Sequence, residues 1–271
     1  MNRRTLTIAM ALGGLLAFAP QAIAETYPSR NVTIIVPYPA GGPTDQVARI
    51  VARKLTEDLK QNVIVENISG GGTIIATNKV AQAKPDGHTL LLHNLQISAN
   101  VTLYKSLPFD TEKELTTVMF INRNPLVLVG RKDLEAKTTK DLIALMKKKT
   151  LKVAIPGYGA TGHLASALLA QEAGVKVDMI PYRGAAPALQ DILGGHVDVF
   201  FATPQSVVQQ VKAGSMNVYG MTSSEKSAEF PNVASFPDMF GPKLEFSYWQ
   251  ALFAPSGTPK NVVETLNAAM Q

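Results

Sequence analysis

Cysteine is absent from this 271-residue chain. No disulfide can hold the fold, no acyl-cysteine can anchor it, and no thiol can act as a nucleophile. Histidine is scarce, and the spacing of His88, His93, His163 and His196 matches no metal-ligand pattern. Neither a G-x-S-x-G nucleophile elbow nor a G-x-x-x-x-G-K phosphate loop occurs. Beyond the first residues no apolar run is long enough to cross a bilayer. Charged residues make up only 17% of the chain, and the one basic run is Lys147-Lys148-Lys149. It closes a helix predicted to begin near Thr139, where cations complement the helix dipole, so no nucleic-acid partner is expected.

What is present begins with an address. Arg3 and Arg4, an apolar run over 6–18 and Ala22-Ile23-Ala24 form a cleavable export signal over 1–24, with cleavage after Ala24. Thr5-Leu6 after the paired arginines is a poor twin-arginine match, so the general export route is expected. The rest carries 24 basic against 21 acidic residues, a mild formal charge of +3, and no direct membrane insertion is expected. At 46% hydrophobic it can fill one large or two modest α/β units.

The organising stretch is 31–55. A β-branched run over 32–36 leads into Pro37-Tyr38-Pro39-Ala40-Gly41-Gly42-Pro43-Thr44-Asp45, and Val47, Ile50, Val51 and Leu55 then recur at helical spacing. Either Thr44 is the N-cap or Pro43 is the first helical residue. In both cases Gly41, Gly42, Thr44 and Asp45 have N–H groups at the positive end of a helix, a site ready for an anion. The design returns at 151–169, where a strand, Pro156-Gly157-Tyr158-Gly159-Ala160-Thr161-Gly162 and a helix opening on His163 follow one another. Two such loops more than a hundred residues apart predict two lobes facing one ligand across a cleft.

Between them strands over 63–65 and 89–93 alternate with a helix over 73–83, giving a parallel sheet whose ligand rim lies at the carboxyl ends of its strands. That rim includes 38–44, 69–73 and 93–98. The apolar stretch 119–131, interrupted by Asn122-Arg123-Asn124-Pro125, is the candidate hinge. A βαβαβ unit over 152–201 follows, then a helix over 204–212, and the chain is expected to cross back after a strand over 217–221. A strand over 246–254 and an amphipathic helix carrying Val262, Val263, Leu266 and Met270 end the sequence.

The ordered motifs carry a resemblance. The 37–45 loop with Ala48-Arg49, Pro85-Asp86-Gly87-His88-Thr89-Leu90, Gly159-Ala160-Thr161-Gly162-His163-Leu164, Pro181-Tyr182-Arg183-Gly184, Gly194-Gly195-His196-Val197-Asp198 and Leu252-Phe253-Ala254-Pro255 resemble the Bug (Bordetella uptake gene) family, the solute-binding proteins of tripartite tricarboxylate transporters. The likeness spans essentially the whole chain after the signal. It implies an α/β two-domain periplasmic binding protein of type II, a Venus flytrap with a mixed, mainly parallel sheet in each domain and a hinge between them. The implied division is a discontinuous first domain over 25–124 and 222–271 and a second domain over 125–221. The resemblance further implies a monomeric, non-enzymatic periplasmic receptor without cofactor or metal. It would capture an organic carboxylate, either a di- or tricarboxylate or an aromatic carboxylate, and deliver it to a membrane permease. Relatives continue past Gln271 with further helices, so the first domain is expected to be truncated. The chain departs from the family at Ser69-Gly70-Gly71-Gly72-Thr73 and at Tyr158, where relatives carry a different glycine loop and a smaller or amide residue.

Candidate ligand-binding residues follow from both lines. Gly41, Gly42 and Thr44 match the carboxylate loop, and Gly159, Thr161 and Gly162 mirror it. Asp45 is expected to orient water or the loop, since it would repel a carboxylate. His93 lies at a strand end on the rim. His163 opens a helix, where it can donate to a ligand or pack against a neighbour. Arg183 can attract an anion or pair with Asp191. Tyr38, Tyr158 and Tyr182 can wall an aromatic ligand, and Thr203 lies at a strand end facing the cleft. The competing reading is an NAD-dependent oxidoreductase, because 157–162 spells G-x-G-x-x-G and Asp178 follows 21 residues after Gly157. Asp178 falls inside its strand, however, whereas ribose recognition needs it at the carboxyl end.

Overall fold

The computed structural model describes residues 27–271, so the expected signal segment lies outside the described residues. The first unit opens with β1 (Val32–Val36), α1 (Pro43–Leu59), β2 (Val63–Asn67), α2 (Ile74–Ala81), β3 (Thr89–Asn94), α3 (Gln96–Leu103), α4 (Thr111–Glu114) and β4 (Leu115–Pro125). Four of the five β1 residues are fully buried, as expected for a strand covered on both faces. α1 turns Ala48, Val51, Ala52 and Leu55 inward at helical spacing and ends on Lys60 in the left-handed conformation. Its start settles the choice left by the sequence. Gly42 is the N-cap and Pro43 the first helical residue, where the missing N–H costs nothing.

The second unit holds β5 (Val127–Arg131), α5 (Thr139–Lys148), β6 (Leu151–Ile155), α6 (Thr161–Ala173), β7 (Val177–Pro181), α7 (Ala185–Leu193), β8 (Val199–Ala202), α8 (Pro204–Lys212), β9 (Met216–Met221) and α9 (Phe236–Phe240). The chain then returns through β10 (Ser247–Pro255) and α10 (Lys260–Ala268) to the first unit.

Two five-stranded sheets result, ordered β2-β1-β3-β10-β4 and β7-β6-β8-β5-β9. In each, three strands pair in parallel and a fourth is joined through one antiparallel strand, β10 or β5. That antiparallel strand is the first the chain forms after changing sheets. The fold is therefore a two-domain α/β structure with mixed sheets.

The first crossing falls within the expected stretch 119–131, and the return comes later than expected. Asn122 to Pro125 are not a break, because they pair with β10, and the first crossing is the single residue Leu126. Residues 222–246, expected in the first domain, pack on the second sheet instead. Phe236 is fully buried there among Leu128, Phe201 and Tyr219. A Cβ on Gly220 would come within 2.5 Å of the Phe236 ring, so the ring occupies the space the glycine leaves. Truncating a buried phenylalanine costs about 3–5 kcal/mol, enough to fix this segment to the second sheet.

Candidate functional site

A cavity lies between the lobes where helix N-termini converge. Gly42, Pro43 and Thr44 from the start of α1 face Ala160, Thr161 and Gly162 from the start of α6, with Ala185 of α7 and Thr203 before α8 beside them. Leu126, Phe200, Phe201 and Ala202 supply much of the apolar wall. None of the lining residues is Asp, Glu, Lys, Arg or His. The positive potential inside thus comes from helix dipoles and unshared N–H groups rather than from a cationic side chain.

The polar atoms are set by a network that begins at the neck of the cavity. The Tyr38 phenol lies 2.9 Å from Asn94 Oδ1 and 3.0 Å from Gln96 Oε1. Asn94 Oδ1 also accepts the Gln96 N–H at 2.9 Å, which turns Asn94 Nδ2 towards Thr44 Oγ1 at 3.4 Å. Thr44 Oγ1 is 2.8 Å from the Tyr248 phenol. Two hydroxyls share that one bond, so one proton remains for a ligand. Burial pushes the Tyr248 phenol up to about 12, offset only in part by its hydrogen bonds to Thr44 and Asn94, and burial also drives Tyr38 well above its ordinary value. Both remain neutral donors at physiological pH.

On the opposite wall Thr161 is 3% exposed and its Oγ1 has no hydrogen-bond partner among the described residues. A buried hydroxyl without a partner costs about 1–3 kcal/mol, and here it borders the space between two helix starts. Thr203 also lines the cavity, but its hydroxyl donates to Ser206 Oγ at 3.1 Å. Gly162 is held small by its neighbours, since a Cβ there would meet the Phe201 carbonyl at 3.1 Å.

Of the residues expected at the site, the structure thus brings Tyr38, Gly42, Thr44, Thr161, Gly162 and Thr203 together around one cavity, and places the others elsewhere. Gly41, at φ +86°, donates its N–H at 2.9 Å to Asp45 Oδ2, so that donor is turned back onto the loop. Asp45 is buried behind the loop and also takes Arg49 through Nε and Nη2, each at 3.0 Å. Burial raises its carboxyl pKa, but Arg49, the Gly41 N–H and Asn67 outweigh that and hold it below the ordinary range. His93 is fully buried behind Asn94 and does not reach the cavity. Its Nδ1 accepts the Asn94 N–H at 2.7 Å, which leaves Nε2–H to donate to Thr73 Oγ1 at 3.0 Å. His163 turns its Nδ1 to the Gly159 N–H at 3.1 Å, bracing its own loop.

Gly159 packs against the first lobe. At φ +80°, a Cβ there would lie 2.7 Å from Leu103 Cδ1 and 3.3 Å from Asn100 Oδ1 of α3. Tyr158 and Arg183 line an outer chamber of the cleft, and Tyr158 stands edge-on to His163 with ring centroids 5.5 Å apart. The alternative Arg183–Asp191 pair is not formed among the described residues, and Asp191 instead accepts the Tyr182 hydroxyl at 2.6 Å.

Asn94 and Tyr248 line the cavity without being among the candidate residues, although Asn94 falls within the expected rim over 93–98. Asn94 was visible as half of the polar pair His93-Asn94 at a strand end, and strand alternation sends only one of the two to the rim. Tyr248 carries no local signal, because it arrives through the β10 register, opposite Asn124.

Paired mixed sheets with a ligand-sized cleft between them define a periplasmic-binding-protein fold. Solved structures share it. Periplasmic binding protein BugD is 34% identical at a TM-score of 0.86, over 90% of this chain and 82% of its own. Rpa4515 of R. palustris, solved with adipate, is 30% identical at 0.86 over 90% and 83%. MatC of Rhodopseudomonas palustris, solved with bound malate, is 33% identical at 0.83 over 90% and 84%. A protein from the TAR-I ttuE-ttuC' intergenic region of Agrobacterium vitis is 36% identical over 100% of this chain and 78% of its own. The family model TctC, tripartite tricarboxylate transporter family receptor, matches residues 47–271. The chain belongs to that family, which is one of substrate-binding receptors and not of enzymes.

The oxidoreductase reading is not favoured. Asp178 is the second residue of β7, paired with Lys152 and exposed, at the end of the strand away from the glycine loop. Among the described residues no helix is long and apolar enough to cross a membrane, and no group of three or more acidic, histidine or cysteine side chains is placed to hold a metal.

Proposed function

We propose that the chain is a periplasmic receptor that binds an organic carboxylate in the interlobe cavity and delivers it, as a monomer, to a tripartite-type membrane permease. The observation that carries the reading is the unpartnered Thr161 hydroxyl, buried opposite Thr44 between two helix N-termini. One carboxylate group bridging these hydroxyls and the N–H groups of both helix starts satisfies donors on both walls at once. Closure is then favoured by contacts that only the closed state offers. Family membership and the adipate- and malate-bound relatives support the same class of ligand. In this reading the lobes divide at Leu126 and near Ser247, with 222–246 moving as part of the second lobe.

The test is thermal melting against citrate, malate, succinate, adipate, aspartate, nicotinate and NAD. A carboxylate at 100 times its dissociation constant is expected to stabilise the protein by about 2.7 kcal/mol. A shift with NAD and none with any carboxylate would reverse the reading in favour of the oxidoreductase.

A further inference from the structure

We propose that Arg183 reads a second carboxylate of the ligand in the outer chamber of the cleft, so that the receptor selects dicarboxylates over monocarboxylates. This rests on the receptor reading above and deepens it.

The outer chamber lies between residues 69–73 of the first lobe and residues 156–158 and 181–184 of the second. Tyr38 and Pro156 border both this chamber and the inner cavity. No Asp or Glu lines either space, and Arg183 is the single formally charged residue lining either of them. One residue separates it in sequence from the lining of the inner cavity. Gly184, at φ +118°, is pressed so close to Pro39 of the first lobe that a Cβ would lie 3.1 Å from Pro39 Cδ. Ala185 on one side of it borders the inner cavity and Arg183 on the other borders the outer chamber. The nearby acid is already engaged, since Asp191 accepts the Tyr182 hydroxyl at 2.6 Å, and Arg183 forms no ion pair among the described residues.

The inner cavity is a poor place for a second anion. Beyond the donors that meet the first carboxylate, it offers Leu126, Phe200 and Phe201, and a carboxylate buried against these without a partner is strongly disfavoured. A ligand with one carboxylate between Thr44 and Thr161 therefore lays its carbon chain past Tyr38 and Pro156 and brings its other carboxylate to the guanidinium. The planar fork of that group matches a carboxylate in two parallel hydrogen bonds.

Calorimetry with linear dicarboxylates from succinate to suberate, each against the monocarboxylate of equal chain length, tests this. For the wild type the best-fitting dicarboxylate is expected to bind about tenfold or more tightly than its monocarboxylate partner. In Arg183→Gln that ratio should fall towards one, and Arg183→Lys, which keeps the charge but not the fork, should fall between. Cooperative melts of both variants check that they fold. A wild type that binds carboxylates without this preference, or an Arg183→Gln that keeps it, overturns the subsite and leaves the receptor reading standing. Aromatic monocarboxylates binding more tightly than every dicarboxylate would assign the outer chamber to a ring and also overturn it. A wild type that binds no carboxylate brings down the receptor reading itself.

Discussion

Gln96 donates its side-chain amide to the main-chain carbonyl of Tyr158 at 2.8 Å, joining the start of α3 in the first lobe to the glycine loop of the second. The same amide lies 3.4 Å from the Gly72 carbonyl, and Gln96 Oε1 faces the Tyr38 phenol at 3.0 Å. One side chain thus connects the cavity neck, the 69–73 loop and the opposite lobe. The contact brings the two lobes together across the cleft.

Gly159 should control that closure. Its backbone is left-handed and any Cβ would run into Leu103 of the other lobe. Gly159→Val is expected to weaken carboxylate binding by about 1–3 kcal/mol, the usual cost of overpacking, and to enlarge the radius of gyration by X-ray scattering. Gly174→Val is the control. Gly174 is also left-handed, at φ +64°, but has nothing within 4 Å of its would-be Cβ, so backbone strain there should leave affinity unchanged. Equal losses in the two variants would mean strain and not closure.

Much of this arrangement was legible in the sequence, and the parts that were not share a cause. The β-branched run over 32–36, the Pro43 helix start and the paired glycine loops are local patterns, and they fixed which chain ends meet at the cleft. The candidate hinge 119–131 does contain the crossing at Leu126, although the polar residues and proline at Asn122 to Pro125 suggest a break earlier in it. Here they extend β4, since β10 lies alongside and pairs with them. Tyr248 and the packing of 222–246 are long-range effects of the same kind. His93 was misplaced because strand alternation says that His93 and Asn94 point apart but not which one faces the ligand.

His93 instead supports the loop. Thr73 holds φ +80°, uncommon for a β-branched residue, while its hydroxyl accepts from His93 Nε2 and from Asn100 Nδ2, each at 3.0 Å. Burial lowers the His93 pKa from its ordinary 6.5 to about 3, opposed only in part by the Asn94 carbonyl 3.1 Å from Nδ1, which favours a protonated ring. The unfolded chain therefore binds a proton that the folded protein excludes between these values. Its contribution to stability is complete above the unfolded value and declines as pH falls towards the folded one. Urea unfolding is expected to give lower stability at pH 5 than at pH 7.5, with part of that difference lost in His93→Gln. Identical pH slopes in the two proteins would mean that His93 is protonated in the fold.

Thr161 and Thr44 look alike in the cavity but should respond in opposite ways. The Thr161 hydroxyl is buried without a partner, so replacing it with the isosteric valine removes an unsatisfied group and should leave the unliganded protein as stable or up to about 1 kcal/mol more stable. Thr44→Val strips Tyr248 of its 2.8 Å partner and should lower unliganded stability by about 1 kcal/mol. Towards a carboxylate the two converge, each losing a charge-assisted hydrogen bond, about 1.5–3 kcal/mol of affinity, while Thr161→Ser keeps most of it. Melting curves without ligand and calorimetry with ligand separate these effects. If Thr161→Val destabilised the empty protein and bound carboxylates normally, the hydroxyl would be a packing group and the ligand would lie elsewhere in the cleft.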